Sequence, residues 1–347
     1  MSSKYPVALL INDIHVSKDT ISEFRTNWNE AIDICVKRNI PEIIVGGDLW
    51  YSRSAQTLST LMAVREAIIQ TNSKDITLTI AEGNHDLVDQ ESYFGYSHLF
   101  SEYPNVFVVD DYTVIDIGDN AVLYVMSYFP ENGSFIERLN GIIEELDKSK
   151  TNILYIHEGI NGGLAYPSDD ELPASIFEPF DHILVGHYHN RKIVEGTNIE
   201  YIGASRQHNF GEDELKGYTV LYSDGSYEFV QNMQNTRYKV IDIAISDIDE
   251  DFYNRLLQMK QCGWYKIKVR IRCNSNEIDT IDKQKCIERG ATKIEFVTEQ
   301  IETKLTQAQD ISQKFDKSGI KQEYVEFCAD RAIANVDMGL AYLDKIS

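Results

Sequence analysis

The chain has 347 residues, of which 43% are hydrophobic, so it is long enough to bury a full core and a second, smaller domain. Its five cysteines form no Cys-x-x-Cys pair, which argues against a disulfide-stapled scaffold and predicts reduced thiols. The formal net charge of −22 is the wrong sign for a protein that grips DNA alone.

No apolar run approaches the roughly 20 residues of a membrane-spanning helix. After Met1–Pro6 the chain passes directly into a strand pattern, without the features of a signal peptide. Both observations predict a cytoplasmic protein without membrane contact, either bacterial or viral in a host cytoplasm.

Short apolar runs alternate with helical patterns along the first half of the chain. The runs have the composition of strands in a sheet covered on both faces, and they predict strands at Val7–Ile11, Ile43–Val45, Ile76–Ile80, Ile153–Ile156 and His182–Val185. Helices are predicted over Ser22–Arg38 and Gln56–Gln70. This alternation is typical of layered α/β folds, which keep their active sites at the carboxyl ends of strands.

Polar segments follow the predicted strands at their carboxyl ends. The five segments read Asp13-x-His15, Gly47-Asp48, Gly83-Asn84-His85-Asp86, His157 and Gly186-His187-x-His189. They contain five of the eight histidines of the chain. A single Asp-x-His or Gly-Asp is most often a turn, but all five in order at strand ends predict the ligands of two metal ions.

The predicted ligands divide into two sets around a shared carboxylate. Asp48 is predicted to bridge the ions, because its two oxygens can offset the repulsion between cations about 3.5–4 Å apart. The other ligands are, for one ion, Asp13, His15 and His189 and, for the other, Asn84, His157 and His187. Oxygen and imidazole ligands without thiolate favour Mn²⁺, Fe²⁺ or Zn²⁺. Such a pair of ions activates water near neutral pH and binds the oxygens of an in-line phosphoryl displacement.

His85 lies beside a predicted ligand but is surplus to the two coordination sets. We therefore predict that His85 and Asp48 are catalytic, with His85 acting on the phosphate or leaving group as an acid or charge stabiliser. A degenerate, metal-free descendant of such a site is the alternative, but no ligand type is missing.

Together the five segments resemble those of the calcineurin-type metallophosphoesterase superfamily, over about residues 5 to 215. The resemblance implies an α/β fold with a four-layer β-sandwich flanked by helices, a smaller α+β capping domain and C-terminal helices. It also implies two divalent metal ions as cofactors, with Mn²⁺ as the first choice and Fe²⁺ or Mg²⁺ as alternatives.

The segment after the second predicted strand distinguishes branches of this superfamily. Many of its phosphatases carry Gly-Asp-x-x-Asp-Arg, whereas this chain reads Gly47-Asp48-Leu49-Trp50-Tyr51-Ser52-Arg53. This sequence is more similar to the Gly-Asp-Leu-Phe of the SbcD-type nucleases. Two further segments resemble the same branch, His157-Glu158-Gly159 and Tyr201-Ile202-Gly203-Ala204 followed by Phe210-Gly211-Glu212. The chain departs from the usual residues of this branch at Tyr51, Ala204 and Gln207. These departures leave open how the site binds and positions a DNA strand.

Beyond about residue 235 the pattern predicts a smaller βαβαβ unit. Its elements are Tyr238–Ile245, Asp249–Gln261, Trp264–Cys273, Ile278–Arg289 and Lys293–Thr298. In the third element, apolar residues alternate with the basic residues Lys266, Lys268, Arg270 and Arg272. The pattern alone fits a contact with DNA phosphates and a solvated sheet face equally well. The resemblance, which implies a DNA-capping domain here, favours the contact with DNA.

We predict a metallophosphoesterase domain at residues 1–232, a DNA-capping domain at 236–300, and a linker with a C-terminal helix at 301–347. An amphipathic stripe runs from about Lys321 to Ile346, and such a stripe most often packs on its own domain. The resemblance implies instead that this helix binds an SbcC-type coiled-coil ATPase subunit, and that the nuclease forms a homodimer. Candidate dimer contacts are Leu58, Leu61, Met62 and Met126, although core packing better explains any single one of them.

The favoured hypothesis is a two-metal DNA nuclease, exonuclease or endonuclease, in an SbcCD-type complex that serves DNA recombination, repair and replication. Arg53 and Arg191 are predicted to contact DNA beside the cleft, to which two bound cations return about four positive charges. A phosphatase or cyclic-nucleotide phosphodiesterase on the same fold is the alternative that the overall acidity favours. The third hypothesis is a scaffold subunit that binds DNA ends, with hydrolysis as a secondary activity.

Overall fold

The computed structural model describes residues 4–87, 94–129, 134–164 and 171–298, together with Val336 and Leu340, which are helical. The rest of the predicted C-terminal helix over Lys321–Ile346 lies outside the described residues. None of the helices in the described ranges is both long enough and apolar enough to cross a membrane.

Two six-stranded sheets and one three-stranded sheet contain the named strands. In chain order these are β1 (Pro6–Ile11), β2 (Glu42–Gly46), β3 (Thr77–Ala81), β4 (Val106–Val109), β5 (Tyr112–Gly118), β6 (Ala121–Met126), β7 (Thr151–His157), β8 (His182–Gly186), β9 (Lys192–Ile193), β10 (Ile199–Tyr201), β11 (Gly217–Tyr222), β12 (Tyr227–Gln231), β13 (Arg237–Ala244), β14 (Tyr265–Cys273) and β15 (Ala291–Thr298). The first sheet has the order β12-β11-β1-β2-β3-β4, the second β5-β6-β7-β8-β10-β9, and the third β13-β14-β15. Strands β1 to β4 are parallel to one another, and so are β6, β7 and β8.

The helices of the described residues connect these strands. They are α1 (Ile21–Arg38), α2 (Leu58–Asn72), α3 (Ser134–Glu144), α4 (Glu250–Cys262) and α5 (Lys283–Arg289). Local signals explain several ends: the Thr57 hydroxyl accepts from the Thr60 amide at the start of α2, and Asn39 ends α1 in the left-handed conformation. Shorter 3₁₀ turns lie at Tyr96–Phe100, Ala174–Phe177, Ile245–Asp247 and Ile278–Thr280.

The two large sheets stack face to face with helices on their outer faces. In β1, Ala8 and Leu10 belong to the apolar cluster that both sheets share, because alternate side chains of a strand point to opposite faces. Leu9 and Ile11 of the same strand pack instead with side chains of α1 and α2. The outer face of the second sheet packs against α3 in the same way. The order helix, sheet, sheet, helix confirms the predicted four-layer α/β class.

The predicted elements are found within two residues of their expected ends, with one exception. The helix predicted over Ile278–Arg289 is instead a short 3₁₀ turn followed by α5. The prediction was wrong there because Ile281 adopts an extended backbone, with φ −85° and ψ 124°, which interrupts the helical hydrogen bonds.

The chain divides into two compact units. Among the described residues, the larger unit comprises 4–241, 248–269 and 283–294, and the smaller unit comprises 242–247, 270–282 and 295–298. The larger unit contains both large sheets and helices α1 to α3. The domain boundaries proposed from the sequence stay a prediction.

Gly46 provides a test of the packing between the two sheets. A Cβ atom at this position would overlap the ring of Tyr155, which is fully buried and cannot move aside. Gly46→Ala should therefore lower the free energy of unfolding by about 1–3 kcal/mol, measured by urea denaturation. Gly141→Ala is the matched control, because a Cβ there meets no atom within 4 Å and removes a glycine from helix α3. This control should raise the stability by about 0.5–1 kcal/mol, and a neutral Gly46→Ala would contradict the tight packing.

Candidate metal centre

The structure brings the predicted ligands to one edge of the two large sheets. They follow or end β1, β2, β3, β7 and β8, and they are Asp13, His15, Asp48, Asn84, His157, His187 and His189. Because parallel strands end at the same edge, their side chains can converge there. Their identity as metal ligands stays a prediction, which the geometry below supports.

Four of the predicted ligands have a strained backbone. Asp13, His15 and Asp48 lie in the left-handed region with φ of 50°, 48° and 54°, and His187 has φ of 89°. Such values are uncommon for residues with a side chain and persist where surrounding contacts hold them. Here the amide of Asp13 donates to the Gly47 carbonyl at 3.1 Å, and the amide of His15 donates to the Asp48 carbonyl at 2.9 Å. The loops after β1 and β2 therefore hold each other in place.

Two glycines allow these loops to approach the ligands. A Cβ atom at Gly47 would overlap the ring of His157, and Gly47 also has φ of +100°. A Cβ atom at Gly83 would overlap the carboxylate of Asp48. Glycine is the residue that permits both the backbone conformation and the close contact.

Asp13, His15 and His189 form the first set of converging ligand atoms, all within 4.8 Å of one another. Nδ1 of His189 donates to Oε1 of Glu212 at 2.8 Å, and Nδ1 of His15 faces the carbonyl oxygen of Trp50 at 3.4 Å. These acceptors hold the proton on Nδ1, so each neutral ring has a lone pair on Nε2. The two Nε2 atoms lie 3.1 Å apart. Because two lone pairs at that distance repel each other, a shared cation fits this set.

A second set lies beside the first and contains Asp13, Asp48 and His157. Nδ1 of His157 donates to the Gly46 carbonyl at 3.0 Å, so the neutral ring has its lone pair on Nε2. This Nε2 atom is buried and has no hydrogen-bond partner among the described residues, although it lies 3.3 Å from Oδ2 of Asp48. Oδ1 of Asn84 and Nδ1 of His187 also meet, at 3.2 Å. A cation would satisfy Nε2 of His157, since a buried polar atom without a partner is costly.

Both carboxylates lie between the two sets. Oδ2 of Asp48 is 3.5 Å from Nε2 of His15 and 3.3 Å from Nε2 of His157. Oδ1 of Asp13 is 3.8 Å from Nε2 of His189 and 3.9 Å from Nε2 of His157. The sequence predicts this intermediate position for Asp48 alone, and the structure adds Asp13.

Charges in the centre shift the pKa values of its groups. Burial disfavours the charged form of His157, but the charge of Asp48 outweighs burial and raises the pKa of His157 to about 10. Burial also disfavours ionised Asp48, yet the neighbouring histidines hold its pKa far below the usual range. Burial lowers the pKa of His15 and of His187 to about 4, so both rings are neutral near pH 7, as metal ligands must be. A proton on His157 supplies part of the positive charge that the carboxylates require.

The donor set therefore fits a pair of divalent cations. It combines carboxylate, amide and imidazole donors, it includes a buried imidazole nitrogen without a partner, and it places two carboxylates between the histidines. Hard or borderline cations such as Mn²⁺, Fe²⁺, Mg²⁺ or Zn²⁺ suit these ligands, and the geometry does not distinguish among them.

Two buried, positively charged side chains, those of Arg206 and Lys216, support the backbone of the ligand loops. The Arg206 side chain is almost fully buried, pairs with Glu23 at 3.0 Å and donates to the carbonyl oxygen of His15 at 3.3 Å. The Nζ atom of Lys216 is also buried and donates to the carbonyl oxygen of His189 at 2.8 Å. The sequence analysis did not predict these contacts, because they join residues that are far apart in the chain.

Glu212 and His208 are further residues of the centre that sequence reasoning gave no role. Glu212 accepts from His189 through one carboxylate oxygen and from the backbone amide of His208 through the other, at 2.8 and 3.0 Å. Nε2 of His208 lies 2.7 Å from the carbonyl oxygen of Asp13. The Phe210-Gly211-Glu212 segment was a signal for Glu212, since it formed part of the resemblance.

The structure places His85 at the rim of the centre. Its backbone amide donates to Oδ1 of Asp48 at 2.9 Å, and its Nδ1 atom lies 2.9 Å from the carbonyl oxygen of Tyr51. Its ring centroid is 5.0 Å from that of His15. Both contacts fix the ring beside the ligands, in a position consistent with the predicted role.

The two predicted DNA contacts outside β14 differ in their surroundings. Arg53 is exposed. Arg191 is largely buried, with its guanidinium 2.6 Å from Oε1 of Glu200 and stacked 4.8 Å from the ring centroid of Phe229. Its charge is therefore already paired within the fold.

Strand β14 shows the predicted alternation. The buried apolar side chains are Ile267, Val269 and Ile271, and the basic ones, half-buried or exposed, are Lys266, Lys268, Arg270 and Arg272. Nζ of Lys266 lies 2.5 Å from Oε1 of Glu23, Nε of Arg272 lies 2.8 Å from Oδ1 of Asp242, and Arg270 lies 3.9 Å from Asp242. Nearby carboxylates therefore offset much of the charge of this face, and its contact with DNA stays a prediction.

Glu212→Ala should weaken metal binding, because the Nδ1 proton of His189 would lose its acceptor and the ring its orientation. We expect a loss of Mn²⁺ affinity of about 10- to 100-fold, measured by titration calorimetry on protein stripped with a chelator. Glu214→Ala is the matched control, since Glu214 pairs with the surface residue Lys239. Equal affinities in the two variants would show that Glu212 does not orient a ligand.

Comparisons with known proteins identify the family of the chain. The model of the family described as calcineurin-like phosphoesterase matches residues 7–191. Protein 244L of invertebrate iridescent virus 6, whose name describes it as a phosphoesterase, is 26% identical over 246 residues, which cover 68% of this chain and 83% of the viral protein.

Among solved structures, the dimetal phosphatase from Danio rerio aligns with a TM-score of 0.43 and 10% identity, over 62% of this chain and 93% of that one. The nuclease MPE from Pseudomonas putida aligns with a TM-score of 0.28 and 17% identity, over 55% of this chain and 64%, less than two thirds, of the nuclease. Both TM-scores are too low to support an inference. The match of the family model over more than half of the sequence establishes that the chain belongs to the calcineurin-like phosphoesterase family.

Proposed function

We propose that this protein is a two-metal-dependent DNA nuclease that acts on DNA ends. The observation that carries the proposal is the convergence of two buried carboxylates and several imidazole nitrogens, with His85 fixed beside them. Family membership supports the coarser class, a metal-dependent phosphoester hydrolase. Cleavage of DNA is the finer step, and the proposed metal is Mn²⁺, with Fe²⁺ or Mg²⁺ as alternatives.

Different residues of the chain have different roles in the proposed reaction. When bound, a pair of divalent cations lowers the pKa of water and neutralises the charge of a phosphodiester. Asp13 and Asp48 would hold the cations, because their carboxylate oxygens lie between the two sets of ligand atoms. Because Nδ1 of His85 is engaged by the Tyr51 carbonyl, Nε2 is the atom left to contact the phosphate or to give a proton to the departing sugar oxygen.

The loop after β2 supports a phosphodiester rather than a phosphomonoester substrate. It carries Tyr51 and Ser52 where many phosphatases of the superfamily have the Asp-Arg pair that holds a terminal phosphate. The Tyr51 side chain is exposed at 60%, so the rim of the centre is open on this side. An open rim suits a substrate that continues on both sides of the scissile phosphate.

The net negative charge of the protein weakens its binding to DNA. The net charge is −22, and the basic residues of β14 and Arg191 lie beside carboxylates. We therefore propose that firm binding requires a homodimer and an SbcC-type ATPase subunit, as the resemblance implies. On α2, Leu58 and Met62 are exposed at 74% and 41% and are available for a partner, whereas Met126 is fully buried in the core.

A phosphatase or cyclic-nucleotide phosphodiesterase is the second candidate, because the same acidity and ion pairing disfavour a long polyanion. The third is a scaffold that binds DNA ends with hydrolysis as a secondary activity. The three candidates differ in what the purified chain should hydrolyse.

His85→Gln tests the nuclease. In Mn²⁺, the wild-type chain should degrade an end-labelled DNA duplex or its single-stranded counterpart, and EDTA should abolish the activity. His85→Gln should lower the rate by roughly 10²–10⁴-fold while Mn²⁺ affinity stays unchanged, because the side chain assists the reaction without ligating the metal. His182→Gln is the matched control, since His182 begins β8 at the end opposite to His187.

Each outcome of this experiment selects one candidate. Hydrolysis of bis-p-nitrophenyl phosphate without DNA cleavage would favour a smaller substrate. Binding of DNA ends without turnover of either substrate would favour the scaffold. Equal activities of His85→Gln and His182→Gln would remove His85 from the mechanism.

Arg53 is the predicted DNA contact whose side chain is exposed at the rim. Arg53→Ala should weaken DNA binding uniformly across sequences and reduce the slope of log K against log salt by about 1. Fluorescence anisotropy at several salt concentrations, with Ca²⁺ in place of Mn²⁺, measures both effects. Arg25→Ala, which removes an exposed arginine paired with Glu66, should leave the slope unchanged. An unchanged slope in Arg53→Ala would exclude this phosphate contact.

A further inference from the structure

An exposed aromatic ring lies beside the metal centre without a role in the mechanism above. The Tyr51 side chain is exposed at 60%, and its ring centroid lies 6.1 Å from that of His15 and 6.4 Å from that of His85. Its neighbour Trp50 is fully buried and packs in the core with Phe100. The two successive aromatic residues thus differ: Trp50 stabilises the fold, and the Tyr51 ring is left to solvent.

The backbone of Tyr51 is held on both sides. Its amide donates to the carbonyl oxygen of Val16 at 3.1 Å, and its carbonyl oxygen accepts from Nδ1 of His85 at 2.9 Å. The ring therefore projects from a fixed position next to the catalytic histidine. Ordering a rigid ring in advance lowers the entropy cost of binding a flat ligand to it.

The location restricts which ligand group can reach the ring. A substrate phosphate must lie at the metal centre, and in a nucleic acid each phosphate is joined through one sugar to a base. An aromatic side chain at the rim can therefore meet the base that flanks the scissile phosphate. Every base has a flat π-face, so stacking of this kind tolerates any sequence.

We propose that the Tyr51 ring is a stacking platform for an unpaired nucleobase adjacent to the scissile phosphate. The inference rests on the proposed function, because it takes a nucleic-acid strand as the substrate. It makes Tyr51 a specificity residue that favours single-stranded or frayed ends, since a base inside a duplex is already stacked and paired. Arg53, exposed two positions later in the same loop, is suitably placed to contact the continuing strand.

Equilibrium binding tests the platform independently of hydrolysis. The probes are a short fluorescein-labelled single-stranded oligothymidylate and an abasic strand of the same length and charge, titrated with the full chain in Ca²⁺. Tyr51→Ala should weaken binding of the thymidylate strand on the order of tenfold and leave the abasic strand unchanged. Tyr51→Phe should bind both strands as the wild type does, because the ring is kept. Tyr5→Ala removes an exposed tyrosine at the opposite end of β1 and should have no effect.

The contrast between the two strands decides the proposal. If Tyr51→Ala weakened binding of both strands equally, the effect would be a general one on the loop or on His85. If it weakened binding of neither strand, the ring would have no part in binding. Either result would overturn the platform. Cleavage of the same thymidylate strand in Mn²⁺ reports on the nuclease separately. Base-dependent binding without cleavage would retain the platform and contradict the nuclease.

Discussion

The repulsion among buried atoms that all carry negative charge or lone pairs is the constraint on which this structure depends. Asp13 and Asp48 approach the Nε2 atoms of His15, His157 and His189 within 4 Å. In a low-dielectric interior such an arrangement needs compensating positive charge. Without cations, the raised pKa of His157 keeps its ring protonated, and bound cations would displace that proton. Folding and metal binding are therefore linked at this edge.

The two stacked sheets hold this arrangement in place despite its cost in free energy. Left-handed backbone at Asp13, His15 and Asp48 costs on the order of 1–3 kcal/mol per residue, and the hydrogen bonds between the loops after β1 and β2 hold it. Buried Arg206 and Lys216 add positive charge behind the ligands, where it offsets the carboxylates without occupying ligand positions. A rigid support of this kind lets the site keep its geometry while substrate and product exchange.

Local sequence patterns were sufficient for most of the elements and for the convergence of the predicted ligand segments, but not for the contacts between distant residues. Apolar runs located the strands, and the predicted ligands after them lie close together, because strand ends of a parallel sheet meet at one edge. The second carboxylate between the two sets, Asp13, depends on side-chain direction, which spacing does not encode. The alternation in β14 predicted its basic face, yet the carboxylates that offset it lie on other elements, and one of them, Glu23, is 243 residues from Lys266 in the chain. Charge counted along a strand therefore overestimates the charge available to a ligand.

An acidic protein that binds a polyanion must rely on short-range interactions. At physiological salt, charges separated by more than about 8 Å are largely screened, so acidic residues on distant faces repel a strand only weakly. In the proposed complex, attraction near the centre would come from the cations, from Arg53 and from the stacking surface of Tyr51. Stacking does not depend on the net charge of the protein, so it can hold a strand where a basic patch is absent. In the proposed arrangement, recognition of a free base and chemistry at its phosphate would come from two neighbouring loops, through Tyr51 after β2 and through His85 after β3, whose Nδ1 contacts the Tyr51 carbonyl.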